Sequence, residues 1–452
     1  MGPVEPQWEP AEAAGKIRRL PGDRRFDRPP DRRRVLLFAH HNSYRISAYS
    51  EAARTLGIEL TVASEGTHSL VPEAVAGLQV DLQAPTATIE LVLAEARRRP
   101  FAGVVAADDG TVELASRVAR ALGLPHNSPQ AARISRRKDL ARATLAAAGI
   151  PVPRFRRLDL SAHLASQIAG LTYPCVAKPL ALAGSRGVIR ANNPQELIAA
   201  CHRIAVIIQS ERDDEERRHV LIEEFIPGNE VAVEGLLDAG ELTVLALFDK
   251  PEPLNGPYFE ESYYVTPSRL HRAVQNRIHQ RLKDACTAYG LHEGPVHAEL
   301  RLNQGDAWIL EVAARTIGGD CARLLKFGAG RSLEELVLRR AIGQPLAPAA
   351  VQNAAGVMMI PTPRAGVLRR VEGILAARKV TYIEDVTIAI CEGHELIPLP
   401  EGGRYVGFIF ARAPTPEAVE QALRQAYQSL NIVVAPMWHL RPACSKTPPY
   451  HE

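Results

Sequence analysis

The sequence predicts an α/β and α+β chain: a Rossmann-like parallel α/β domain, then a central two-lobed region, then a C-terminal α+β domain. Three observations predict it. The chain has 452 residues, about three times a typical domain, and 46% hydrophobic with 23% charged residues is enough for conventional cores. Between residues 35 and 125, short apolar runs alternate with stretches of helical periodicity, the pattern of strand-helix units around a parallel sheet. Beyond residue 150, extended runs instead come in pairs separated by short Gly- and Asp-containing turns, which read as hairpins.

Residues 1–34 carry nine basic and six acidic side chains and no packable face, so they read as a disordered tail. Order begins with an apolar strand at 35–39, a helix at 43–56 stopped by Gly57, and a strand at 59–63. A second strand-helix unit follows at 103–107 and 111–122. The first turn, His40-His41-Asn42-Ser43, lacks a Gly-x-Gly-x-x-Gly, so the pattern licenses no dinucleotide site. Ser135 reads as the N-cap of a helix that carries Lys138 and ends at Gly149, with Pro151 and Pro153 marking a boundary. Strands at 174–178 and 187–190 flank a glycine loop, a helix spans 194–209, 211–218 reads as a surface loop, and 220–225 is a strand. Two hairpins, 231–237 with 241–248 and 295–302 with 307–312, bracket a long helix at 269–289. From about 347 a separate domain is expected, with strands near 357–360, 386–390 and 406–411 and a last helix capped by Thr415-Pro416-Glu417. The expected domains are therefore 35–130, 131–222, 223–346 and 347–452.

The +3 formal charge is accounted for by the tail, so neither nucleic acid nor an anionic membrane is expected as partner. No run approaches a membrane span or a secretory leader, which leads to the expectation of a cytoplasmic protein. The six cysteines form no Cys-x-x-Cys and the fourteen histidines no His-x-x-x-His, so catalysis is sought among carboxylates, lysines and arginines.

The most informative pair is Glu299 and Glu311. If the second hairpin turns at Gln304-Gly305-Asp306, residues pair where their numbers sum to 610, and the two carboxylates stand opposite each other. Like charges so placed need a cation or a raised pKa, and a divalent magnesium ion is the natural counter-ion. Both could equally face solvent; the apolar neighbours Ala298, Leu300, Ile309, Leu310 and Val312 favour a buried strand pair. Arg315, four residues on, could stabilise an oxyanion, and Gly318-Gly319 would let backbone N–H groups approach an anion. Lys178 ends an apolar strand before Gly184-Ser185-Arg186-Gly187, a lysine-plus-glycine arrangement suited to phosphates, although no P-loop motif occurs.

The order Lys138, Gly-Ile-Pro-Val-Pro, Lys178, glycine loop, Glu223-Glu224-Phe225-Ile226, Glu230, Glu299 and Glu311 resembles the ATP-grasp superfamily over residues 35–345. Glu311-Val312-Ala313-Ala314-Arg315 with Gly318-Gly319 and the extra C-terminal domain is similar to the L-amino-acid ligase and carnosine synthase branch of carboxylate-amine ligases. The resemblance implies ATP and magnesium, or manganese in its place, as cofactors. It gives Lys138 and Lys178 to the phosphates and makes Gly184, Ser185 and Gly187 part of a lid that orders on nucleotide binding. Adenine falls to Glu223, Glu224, Phe225 and Ile226, the ribose to Glu230, the metal to Glu299 and Glu311, and catalysis to Arg315. Ala313 departs from the family pattern, where an asparagine commonly supplies a further metal ligand. The implied reaction is ATP-dependent amide formation from a small-molecule carboxylate and amine through an acyl phosphate, in a fold where homodimers are common. A carboxylase or purine-pathway ligase and a non-catalytic nucleotide-binding protein are the alternatives. Residues 251–267, with Tyr258, Phe259, Glu261 and Tyr263, are the candidates for substrate selection.

Overall fold

A computed structural model describes residues 33–66, 76–326, 330–345 and 353–437. Residues 1–32 of the expected tail, the boundary at 346/347 and Cys444 lie outside the described residues.

The first sheet consists of β1 (Arg34–Phe38), β2 (Glu59–Ser64), β3 (Ala76–Gln79) and β4 (Gly103–Ala106), crossed over by α1 (Arg45–Leu56), α2 (Pro85–Arg98) and α3 (Val112–Ala121). All pairs are parallel, in the order β3-β2-β1-β4. β1 is buried at every position, as a strand covered on both faces must be. Arg34, counted with the tail on composition, instead opens β1. It is buried against Glu95 at 2.8 Å, with its guanidinium 4.3 Å from the Phe101 ring centroid. The strand order reverses between β1 and β4, so the loops His40–Ser43 and Asp108–Thr111 meet at the carboxyl edge.

The expected helix carrying Lys138 is α5 (Lys138–Ala147), and a separate helix, α4 (Pro129–Arg136), precedes it across extended Arg137. Ser128 caps α4, its hydroxyl accepting from the Ala131 N–H at 3.0 Å; Ser135 lies in the last turn of α4 and donates to the Ala132 carbonyl, and Arg137, at the N-cap of α5, makes no side-chain cap. The break at Arg137 starts α5 later than expected, and Lys138 thereby becomes a first-turn residue facing the next lobe.

That lobe is a four-stranded antiparallel sheet, β5 (Phe155–Asp159), β6 (Cys175–Pro179), β7 (Ile189–Ala191) and β8 (His219–Glu224), in the order β5-β8-β6-β7. The short α6 (Leu164–Gln167) and the longer α7 (Pro194–Ile207) pack against it, α7 burying Leu197, Cys201 and Ile204. Residues 211–218, expected as loop, include the helix α8 (Asp214–Arg218), capped by the Asp213 carboxylate.

The remaining elements are β9 (Asn229–Asp238), β10 (Glu241–Asp249), β11 (Tyr263–Thr266), α9 (Arg272–Tyr289), β12 (Gly294–Asn303), β13 (Asp306–Ala313), α10 (Leu333–Ala341), β14 (Ala354–Ile360), β15 (Gly366–Glu372), α11 (Ile374–Arg378), β16 (Ile383–Ile388), β17 (Glu395–Leu396), β18 (Gly407–Ala413), α12 (Pro416–Gln428) and β19 (Asn431–Ala435). Both expected hairpins form. The C-terminal segment, expected as a separate domain, contributes β14, β18 and β16 to one eight-stranded sheet that runs β13-β12-β9-β10-β11-β14-β18-β16. The β11 strand joins the halves: Asp249 pairs with Val265, and residues 263–266 pair with 355–358 of β14. A three-stranded sheet, β17-β15-β19, is the part of the C-terminal segment outside this sheet.

Candidate active site

The cleft lies between the four-stranded lobe and the β12–β13 hairpin. Gln304 and Gly305 both have positive φ, 50° and 76°, so the hairpin closes on a two-residue turn and not the three-residue turn read from sequence. Asn303 pairs with Asp306 and Leu300 with Ile309, which are sums of 609. In that register Glu299 would face Leu310. A β-bulge after Leu300 absorbs Leu310 and moves Glu299 opposite Glu311, Ala298 opposite Val312 and His297 opposite Ala313. The Leu310 carbonyl accepts from Arg142 Nη2 at 2.7 Å, so the bulge is held from outside the hairpin. The predicted carboxylate pair is therefore correct, by a different route.

Each carboxylate of the pair faces an ammonium. Lys138 Nζ lies 3.5 Å from Glu311 and donates to the Leu182 carbonyl at 2.7 Å. Lys250 Nζ lies 3.6 Å from Glu299, 2.7 Å from Glu230, and in direct contact with Glu261. Glu230, Glu261 and Glu299 bring one oxygen each to within 4.8 Å of one another. Burial raises Glu261 to about 7, reinforced by Glu299; Glu299 is held well below the carboxylate range by Lys250 and His297 in spite of its own burial. His297 stands between Glu299 at 3.8 Å and the fully buried Glu234 at 3.1 Å, and these two carboxylates push it above its ordinary value against the effect of burial. This all-oxygen set fits a hard divalent cation such as magnesium.

Across the cleft, the expected phosphate and adenine residues meet at one buried carboxylate. Lys178 Nζ lies 2.6 Å and Arg142 Nε 2.7 Å from Glu223. Burial would raise Glu223, but the two cations hold it at about 2; burial also lowers Lys178, against the opposing pull of Glu223. The Glu223 side chain is thus committed to Lys178 and Arg142, which assigns it a different partner from the expected adenine. Folded Glu223 titrates below its unfolded value, so its stabilisation is present above pH about 4.5 and is lost as pH falls toward about 2. Acid melting of wild type and Glu223→Gln should converge over that window; a constant gap between them down to pH about 2 would refute the linkage.

Along the expected adenine segment, the Glu224 N–H donates to the Arg154 carbonyl and the Glu224 side chain pairs with Arg154 at 3.0 Å. Phe225 is flanked by the Arg190 and Arg301 guanidiniums, 4.3 and 4.9 Å from its centroid, and the Ile226 carbonyl accepts from Arg301 at 2.8 Å. Glu230, expected at a ribose, is buried between Arg301 at 3.1 Å and Lys250. Gly184, Ser185 and Gly187 all have positive φ in the loop between β6 and β7.

Arg315 is buried, donating from Nε to Asp109 at 2.9 Å and from Nη1 to the Thr316 carbonyl at 2.9 Å. Asp109 comes from the carboxyl edge of the first sheet, where Arg45 also pairs with Asp108 at 3.0 Å. Tyr258 contacts Arg203, Phe259 packs with Val176 and Leu254, and the Tyr263 ring lies under Arg424. Sequence reading missed Lys250, Arg142, Arg301 and Asp109. Lys250 carried the same signal that selected Lys178, a lysine at the end of an apolar strand.

A lysine-lined antiparallel lobe facing a hairpin with opposed glutamates is the architecture of an ATP-grasp protein. Family models agree: ATP-grasp N-terminal domain matches residues 50–126, ATP-grasp domain 171–323, and L-amino acid ligase C-terminal domain 2 358–435. The chain is thus an ATP-dependent ligase forming carbon–nitrogen bonds, built from ATP-grasp ligase domains with a C-terminal region like that of L-amino acid ligases. The crystal structure of an L-amino acid ligase from Bacillus licheniformis superposes with TM-score 0.74 at 25% identity, covering 89% of this chain and 99% of that one. The uncharacterized protein y4rH of Sinorhizobium fredii is 25% identical over 354 residues, 77% of this chain and 72% of its own. Dapdiamide A synthase of Enterobacter agglomerans is 27% identical over 237 residues, 51% of this chain, which spans about half the length of that synthase (54%). Among the described residues no helix is long and apolar enough to cross a membrane.

Proposed function

We propose that the chain joins the carboxylate of one amino acid to the amine of another, with ATP converted to ADP and phosphate through an acyl phosphate. The observation that carries this reading is the bulge-set opposition of Glu299 and Glu311 beside Lys138, with Lys178 held on Glu223 of the four-stranded lobe. The names of the relatives, an L-amino acid ligase and dapdiamide A synthase, support amino acids as the substrate class.

In this reading the two lysines neutralise the nucleotide phosphates as point charges, and Glu223 fixes the direction of Lys178. Phe225 and Ile226 offer the adenine an apolar edge, while Glu230, expected at the ribose, has both oxygens engaged by Lys250 and Arg301. Magnesium, or manganese, would be held by Glu299 and Glu311 with Glu261 at hand, and when bound would offset phosphate charge. Asp109 orients Arg315, whose guanidinium faces the oxyanion that develops as the amine attacks the activated carbonyl. At Ala313, a buried methyl opposite His297 stands where the related pattern has asparagine, so this position supplies no ligand.

The test is ADP release screened over pairs of amino acids with ATP and magnesium, with product mass as second readout. A pair that releases ADP and yields a mass equal to the two amino acids less one water supports the reading. ADP release that depends on bicarbonate and on no amino acid would replace it with a carboxylase.

A further inference from the structure

The glycine loop of the four-stranded lobe is touched by a strap from the far end of the chain, residues 398–403 between β17 and β18. The Gly187 N–H donates to the Pro400 carbonyl at 2.8 Å, and Arg186 Nε donates to the Glu401 carbonyl at 3.0 Å. A Cβ added at Gly184 would lie 3.8 Å from the Gly403 carbonyl oxygen, so the two backbones run in van der Waals contact. The strap is itself tightly folded: Gly402 N–H donates to the Pro398 carbonyl, and a Cβ at Gly402 would lie 1.7 Å from the Ile397 oxygen.

Behind this contact, Arg203 of α7 grips Glu401 with Nε at 2.5 Å and Nη2 at 2.9 Å, and its Nη1 lies 2.5 Å from the Tyr258 hydroxyl. Tyr258 belongs to the segment already singled out for substrate selection. That segment is stitched to β7 by the Ile189–Tyr258 bridge and by Arg190, whose N–H donates to the Pro257 carbonyl at 2.9 Å. The strap therefore links two segments far apart in sequence: its backbone bonds the glycine loop, and its Glu401 side chain shares the Arg203 guanidinium with Tyr258 of the 251–267 segment.

We propose that Arg203 and Glu401 are positioning residues for the phosphate loop: through the strap they hold residues 184–187 in their curved form before nucleotide arrives. This rests on the nucleotide reading of the site. It also revises the expectation that the loop orders only with nucleotide, because Gly187 N–H already has its partner in Pro400 and the loop N–H groups left for phosphate start from a fixed frame. The ordering cost is met on folding and not on binding.

The experiment is hydrogen exchange of residues 183–188 in the nucleotide-free full chain, paired with titration of ATP and magnesium, for wild type, Arg203→Glu, Glu401→Arg and the double exchange. Glu401→Gln serves as a milder variant should either reversal fail to fold. Each single variant is expected to speed exchange of the loop and weaken ATP about threefold to fivefold, the scale of one half-exposed ion pair, with melting unchanged. The double exchange restores both, since the carboxylate then sits on α7 and the guanidinium on the strap, and the same ion pair forms with its ends swapped. Wild-type exchange in the single variants, or no recovery in the double, overturns the proposal. A wild-type chain that binds no ATP sinks the nucleotide reading instead, while the exchange comparison still decides whether the strap orders the loop.

Discussion

Glu311→Gln abolishes amide formation and leaves the fold intact. The substitution keeps size and hydrogen-bonding capacity but removes one of two like charges brought opposite each other by the bulge. A Glu–Glu cross-strand pair is destabilising by itself, so losing one charge should hold or slightly raise the melting temperature. The lost function follows from the partners: with Glu311 neutral, Lys138 loses the carboxylate at 3.5 Å that directs it, and a divalent cation held by Glu299 would lose the charge of the facing strand. ADP release falls by at least about a thousandfold on the scale of removing a charge-stabilising catalytic group. ADP release and thermal melting on the same preparations check this, and normal turnover in the mutant would remove the carboxylate from the mechanism.

Arg315→Lys is expected to cost about 2 to 4 kcal/mol of transition-state stabilisation, roughly 30- to 1000-fold in kcat, with ATP affinity little changed. Arg315 spends Nε on Asp109 and Nη1 on the Thr316 carbonyl, so its plane is fixed and Nη2 has a defined direction. A lysine reaching Asp109 satisfies that contact with its single ammonium and presents no second donor in a fixed fork. The competing account is that Arg315 only fastens the hairpin end to the first sheet through the buried Asp109 pair. In that case Arg315→Lys and Asp109→Asn lower the melting temperature and leave kcat at saturation near normal. A kcat within about threefold of wild type would make Arg315 a structural residue.

The placement of several candidate residues was legible because it depends on order along the chain. Lysines at strand and helix ends and glutamates in facing strands survive small errors in boundaries. The Glu299–Glu311 pairing shows how: a three-residue turn without a bulge and a two-residue turn with one give the same sum beyond Leu310. What stayed illegible depends on partners distant in sequence. Glu223 reads as a strand end until Arg142 and Lys178 close on it, and Asp109 gains a role only when the first sheet meets the hairpin. β3, with the sequence Ala-Gly-Leu-Gln, has too little β-branched or alternating character to announce itself. Ser135 illustrates a local ambiguity: it precedes helix-forming residues but ends α4, which Ser128 and Pro129 open, and α5 starts after Arg137 without a side-chain cap.

The eight-stranded sheet bears on how the protein can be divided. A chain cut near residue 346 looks, from composition, like a complete catalytic unit shorn of an accessory module. The cut would strip β11 of its β14 partner, exposing the backbone groups of Tyr263, Tyr264, Val265 and Thr266 along a flat, aromatic and β-branched edge. Such an edge recruits other chains. Attempts to obtain a minimal ligase by truncation, or to graft a foreign C-terminal module for new selectivity, should therefore yield aggregates unless the replacement supplies a strand in β14's register.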